Sequence, residues 1–510
     1  MKLPRLPRQG QKASREVVNT RGLNLSDNTQ DGDLAGCKNL SSHRWPYLAT
    51  RNKRERLADY TGVTAITSWG KLIAVEGEAL LYDGKEVGKV KPGAKQFAVV
   101  NTKLVIWPDK VYLDMTTQTV KPLGAKATAA KGVFTADTVT LTGGPDLTQL
   151  FSVGDCVTLS GLETLKANNG DVVIKELTKD KLTLSAKSLT AGQEEGALTL
   201  ERRVPDLDYI CESGNRLWGC SNREKTIFAS VLGDPTNFYV YEGLSTDAYA
   251  VAVGSEGDFT GCCKLSTAVL FWKERTLHKM LGDYPAEYAL FDYAIDGLRA
   301  GCSRSMQILN DVLLYVGVHG VYTYAGGTPS NIAACFGSHS LEEGVAGTDG
   351  ERYYLSALLD GQAALLVYDP RLGVWMQEDE TRCVDFARMG QEVYFLTQEG
   401  EVWQADSRQP DPDAEWEAVY TPFYETIQGR KRYSRLVLRV ELAQGAWLTA
   451  YTRTDGGPWQ EAAKRIGGLS DAAALSLRPN RGDKFELRLR GKGPCAILSV
   501  LREFTVGGEG

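Results

Sequence analysis

The chain offers few groupings of residues with the types and spacing that chemistry needs. Its four histidines, His43, His278, His319 and His339, share no motif, and His319 sits in a Gly-Val-His-Gly turn. The ten cysteines include no C-x-x-C pair and no metal-ligand spacing. They read as buried free thiols of a protein made in a reducing cytoplasm. No metal and no cofactor is expected. There is no P-loop, no G-x-G-x-x-G after a strand, no G-x-S-x-G elbow and no H-E-x-x-H. Carboxylates are plentiful, so spacing alone leaves a glycosidase pair open, but no pair is marked by its surroundings. TRTDGGPW (452–459) matches the Asp-box of sialidases only in part and reads as a hairpin turn, and Arg481-Gly482-Asp483 reads as coincidence. With no nucleophile, base or ligand set singled out, no catalytic residue is expected and the chain reads as not an enzyme.

The grouping that does stand out is basic and aromatic. Residues 1–56 carry 12 Lys/Arg against 5 Asp/Glu, whereas the rest of the chain carries 46 against 59. Residues 1–60 lack strand or helix periodicity and read as an extended arm that is ordered only against something else. Within KNLSSHRWPYLATRNKR (38–54), Arg44, Trp45, Tyr47, Arg51 and Arg54 are the candidate interaction residues. They suit docking to a partner subunit. Contact with nucleic acid is an alternative, since cations interleaved with aromatics stack on bases, as is an arm packed on its own body.

The elements behind these residues are strands. No amphipathic helical segment persists, no apolar run reaches the length of a membrane helix, and 53 glycines fall mostly between short apolar runs. NDVLLYVGVHGVYTYAGGTPSN (310–331) shows the unit: an apolar run, a tight turn and a second run. Anchors at Leu72, Leu104, Leu217, Leu270, Leu314, Tyr354 and Tyr394 are spaced by 32, 113, 53, 44, 40 and 40 residues. Residues 126–201 follow a different pattern, alternating strands with Gly/Asp turns, and setting these 76 residues aside reduces the long spacing to 37. A period near 40 with a few short strands per unit is that of a β-propeller blade. The expected fold is all-β: a propeller of six or seven blades (61–125 and 202–408), an inserted small β-barrel or sandwich (126–201) and, beyond the SRQPDPDAEW linker, a C-terminal β-sandwich (409–510).

Four segments carry a family resemblance: the arm segment N-L-S-S-x-x-x-P-x-L-x-x-R-x-x-R (39–54), VPDLDYICESGNRLWGC (204–220), LGDPTNFYVY (232–241) and LRPNRGDKFELRLRGKG (477–493). In this order the chain resembles the propeller proteins of tailed-phage tails, the tail hub, nozzle or packaged-DNA stabilisation type. The resemblance implies a structural virion protein assembled in the host cytoplasm. It also implies a ring of identical subunits, usually six, below portal and adaptor, closing and then conducting the DNA channel. An acidic body fits passage of double-stranded DNA without sequence-specific binding. The competing expectations are a propeller lectin or glycan-acting enzyme on cell-surface polysaccharide, and an intracellular scaffold.

Overall fold

The computed structural model describes residues 10–185, 189–427, 429–467 and 469–506, and in it the chain is all-β, with four short 3-10 turns as the only helical elements among these residues. Residues 1–9 of the expected arm and 507–510 of the expected terminal domain lie outside the described residues. The chain forms two compact units, Met1–Gly70 with Arg304–Gly510, and Lys71–Ser303.

In the Lys71–Ser303 unit the repeated element is a four-stranded antiparallel meander. One consists of Gln96–Val100, Lys103–Trp107, Val111–Asp114 and Thr119–Pro122. The next consists of Tyr209–Ser213, Arg216–Ser221, Thr226–Ala229 and Tyr249–Ala252, and a third of Gly261–Leu265, Ala268–Trp272, Thr276–Leu281 and Ala289–Ala294. The second strand is the most buried, and every residue of Arg216–Ser221 and of Ala268–Trp272 is buried. Leu217 packs with Val105 and Trp107 of one neighbouring sheet, while Trp218 and Cys220 pack with Phe271 and Met280 of the other. A strand covered on both faces needs apolar residues at consecutive positions, which explains the unbroken runs in the sequence. Each large side chain buried this way contributes roughly 1.5–3 kcal/mol.

Two of the resembling segments have structural work in this unit. In NRLWG, Arg216 is buried and its guanidinium donates to the carbonyls of Ser230 (2.8 Å), Ser245 (2.7 Å) and Asp247, gathering a long loop around one cation. In GDPTNF, the Asp234 carboxylate accepts from the Thr236 N–H (3.1 Å) and from Asn237 Nδ2 (2.7 Å). Asn237 also donates to Asp155 (2.9 Å), which is ion-paired with Arg202. Asp155 and Arg202 belong to a closed barrel region formed by Ala125–Phe134, Thr138–Thr142, Lys181–Leu184, Gly170–Leu177, Cys156–Ser160 and Gly192–Arg202 in spatial order. The barrel encloses Phe134, Val139, Leu159, Ile174, Leu182 and Leu198.

In the other unit, three meanders follow the same plan: residues 307–331, residues 341–379, and Cys383–Met389, Glu392–Thr397 and Val402–Gln404 with Glu55–Arg56 as fourth strand. The 310–331 hairpin closes between Gly317 and Gly320, and Tyr315 stacks on its cross-strand partner Tyr322 at 5.7 Å. Two six-stranded sheets complete the unit, and Tyr433 of one stacks on Phe485 of the other at 4.7 Å.

Here the expectation of an extended arm is corrected. Gln11–Val17 pairs antiparallel with Cys495–Val506, from Gln11↔Val506 to Val17↔Val500. Asp33–Lys38 pairs with Glu415–Tyr420, Leu48–Thr50 with Cys495–Val506, and Glu55–Arg56 with Trp403–Gln404. Leu23, Leu34, Leu40, Leu48 and Ala49 are buried. The segment is part of the fold of its own chain. Four of its six strands span only two or three residues, and Gln11–Val17 buries no side chain, so no apolar periodicity accumulates.

Candidate functional site

The five arm residues meet different fates. Arg54 lies between Glu378 and Asp379, 2.7 Å from each, with its side chain only 8% exposed, and stacks over Phe395 at 5.3 Å. Arg51 donates to Asn39 (2.7 Å) and pairs with Asp411 (3.2 Å). These two cations are committed to internal partners and are not open for docking. Arg44, half exposed, pairs with Glu441 at 2.7 Å, and Trp45 and Tyr47 are each 37% exposed. Arg44 and Glu441 line a 510 Å³ cavity walled mainly by Ala49, Leu442, Ala443 and Pro494. It is largely apolar, with His43 and Arg51 also in its wall.

A 440 Å³ cleft in the same unit is polar instead. It is built where the first and second strands of successive meanders turn. Asp349 follows Leu341–Thr348, and Gln391 follows Cys383–Met389. The Asp349 carboxylate accepts from the Glu351 N–H (2.8 Å), the Arg352 N–H (2.6 Å), Arg352 Nε (3.0 Å) and the Tyr354 hydroxyl (3.1 Å). The other arm of the Arg352 guanidinium donates to Asp406 at 3.1 Å. Asp406 also accepts from Asn52 Nδ2 (2.9 Å) and the Arg408 N–H (2.7 Å), and Arg408 donates to Gln391 (3.2 Å). One guanidinium thus fixes two carboxylates from different meanders, and the fork geometry of arginine suits that role.

The electrostatics follow from burial. Burial disfavours the Arg352 cation, but Tyr354, Asp349 and Asp406 outweigh it and raise its pKa. Burial likewise favours neutral Asp406, yet the donors Asn52, Arg408 and Arg352 hold it below the ordinary carboxylate value. Burial pushes the Tyr354 phenol well above its usual value, so it stays a donor. Gly350 sits in left-handed backbone, φ +94°, which favours glycine, and a Cβ there would displace the end of the Arg388 guanidinium, 2.5 Å away. Three cations, Arg352, Arg388 and Arg408, and three carboxylates, Asp349, Glu351 and Asp406, line the cleft. The charges of the cleft wall therefore balance, three against three.

None of the candidate interaction residues read from the sequence lines this cleft, and Tyr354 enters the sequence reading only as a repeat anchor. The available signal was positional: Asp349 and Gln391 sit in the same turn about one repeat apart. Among the described residues, no group of His, Cys, Asp and Glu is arranged to hold a metal ion. All ten cysteines are free thiols.

No protein-family model and no curated protein sequence matches the chain. Among solved structures, an exo-β-1,3-galactanase from Phanerochaete chrysosporium with galactose aligns at 8% identity and a TM-score of 0.22, over 57% of this chain and 94% of its own. The extracellular domain of a hybrid two-component system from B. thetaiotaomicron aligns at 10% identity and a TM-score of 0.38, over 87% of this chain and 62% of its own. A structure described as a glycoside hydrolase aligns at 11% identity and a TM-score of 0.19, over 55% of this chain and 81% of its own. At these scores no residue role passes to this chain. The expectation that the chain is not an enzyme is nevertheless withdrawn, because glycoside hydrolases are among the structures that align with it.

Proposed function

We propose that the repeated meanders are blades of a β-propeller and that the chain recognises a neutral glycan, of the cell-surface polysaccharide class, in the Asp349–Arg352–Asp406 cleft. The carrying observation is that the cleft wall is fixed before any ligand arrives: Arg352 is locked by two carboxylates, and each carboxylate by further donors. Pre-ordered polar groups of both signs lower the cost of binding a polyol, because little side-chain freedom remains to be lost. Reducing-end analysis of the bound glycans decides whether cleavage accompanies recognition. The test is a glycan array with the full chain, followed by calorimetry on any hit with Arg352→Ala. Binding that Arg352→Ala abolishes supports the reading, and a blank array with folded protein overturns it.

A second reading is favoured by strand Ala289–Ala294. It is the end strand of its sheet, and Phe291 and Tyr293 on one face are 45% and 44% exposed. An apolar row on a sheet edge suits a heterologous contact between copies, which closes into a ring. In this reading six copies form a ring in the tail or neck of a tailed bacteriophage, next to portal or adaptor, and DNA passes without sequence-specific binding. Native mass spectrometry would find a ring that Phe291→Ser with Tyr293→Ser dissociates. A monomer at every concentration, absent from particles, would sink it.

A further inference from the structure

We propose that Ser255, His278 and Asp292 form a nucleophilic serine site that cleaves small carboxylic esters. The Ser255 hydroxyl lies 2.8 Å from His278 Nε2, and His278 Nδ1 lies 2.5 Å from Asp292 Oδ1. These are the two contacts, in the order nucleophile–base–orienting acid, by which a serine is activated. The sheet creates the second contact, because His278 and Asp292 are directly opposed across neighbouring antiparallel strands and so project to one face. With Nδ1 donating to Asp292, Nε2 is the free acceptor that the Ser255 hydroxyl needs.

The surroundings hold this arrangement in place. His278 is fully buried, with the Phe259 ring edge-on at 6.0 Å. Ser255 sits on a half-exposed loop pinned from below. Lys273 Nζ donates to its carbonyl at 2.8 Å, and Asn222 exchanges two bonds with the Phe259 backbone (2.6 and 3.2 Å). Above the loop there is room: nothing lies within 4 Å of where a Cβ on Gly254 or Gly257 would sit. Among the described residues, the Glu256 and Gly257 N–H groups donate to no acceptor, leaving two amides beside the nucleophile for a developing oxyanion.

The chemistry needs no group beyond water. Ser255 Oγ attacks the acyl carbon while its proton passes to His278 Nε2. The adduct collapses with loss of the alkoxide, which takes that proton and leaves as the alcohol. Water, deprotonated by the same nitrogen, attacks the acyl-serine, and Ser255 leaves as its hydroxyl with release of the carboxylic acid. Asp292, whose side chain is 60% exposed, is a positioning residue acting through His278.

The test uses the full chain, a fluorophosphonate probe with peptide mapping, and p-nitrophenyl acetate as substrate. The expected result is one labelled residue, Ser255, with labelling lost on unfolding. Ser255→Ala, on an open loop, keeps the thermal transition and loses label and ester turnover. His278→Gln lowers labelling at least 100-fold. Asp292→Asn lowers it less, and Asp292→Glu restores part of that loss. Folded wild type that leaves Ser255 unlabelled, or equal turnover by wild type and Ser255→Ala, overturns the proposal.

Discussion

Arg502 and Glu425 form an ion pair 2.7 Å long in which neither side chain reaches solvent. Arg502 also stacks on Phe423 at 3.6 Å and extends to Asp31, so a strand near the C-terminus and the N-terminal segment share one cation. Removing one partner of such a pair strands a buried charge, at a typical cost of about 3–5 kcal/mol. Arg502→Ala should lower the denaturation midpoint accordingly. Arg502→Met with Glu425→Leu should recover most of the loss. Equal stability of wild type and Arg502→Ala in urea titrations would contradict this account.

Deletion of residues 1–56 should unfold the unit that contains them. It removes Leu23, Leu34, Leu40 and Leu48 from the interior and the partner of three sheets. At roughly 1.5–3 kcal/mol for each buried side chain, the loss approaches the whole stability of an ordinary domain. Circular dichroism and limited proteolysis check it: a truncated chain with a native-like transition would show that the segment is dispensable.

Asp385 should give the chain a pH dependence of unusual sign. Its carboxyl accepts from the Ile66 N–H at 3.0 Å, and burial pushes its pKa up to about 6, against an opposing pull from Arg304. A carboxyl whose folded value exceeds its unfolded one holds its proton more tightly in the native state. Its contribution is therefore favourable at low pH and is lost as pH rises from about 4 through about 6. The shift corresponds to about 3 kcal/mol. Other carboxylates oppose this trend, so the measurable quantity is the difference between wild type and Asp385→Asn. The variant should gain relative stability as pH rises across that window, and parallel curves would refute the assignment.

Gly350→Ala should disturb the cleft more than the fold. The substitution forces a side chain into left-handed backbone and against Arg388. A cost of about 1–3 kcal/mol is expected, with loss of any glycan affinity. Gly361→Ala, also at positive φ but with open space around it, is the control for backbone strain alone. Identical behaviour of the two in binding assays would remove Gly350 from the site.

What was legible beforehand follows the number of covered faces. Strands such as Val312–Gly317 and Ala268–Trp272, packed on both sides, wrote unbroken apolar runs into the sequence, and the repeat could be read from them. Strands of two or three residues, such as Leu40–Ser41 and Leu48–Thr50, are too short to show a period, so a structured segment read as an arm. Arg51 and Arg54 looked like docking cations because their acidic partners lie more than 300 positions away. The cleft was illegible for a related reason: Asp349, Gln391 and Asp406 meet only once the sheets stack. Cross-strand register alone brings His278 to Asp292, and no sequence motif encodes that pairing.

The closed barrel has one further consequence. Ala125 is paired with Arg202, so the chain enters and leaves the barrel at a single point. The parent meanders on either side see a loop whose ends already touch, whatever hangs from it. The insertion is thus a cassette: its sequence can drift, lengthen or be exchanged for another module with adjoining termini, provided that Asn237 still finds an acceptor such as Asp155 at the doorway.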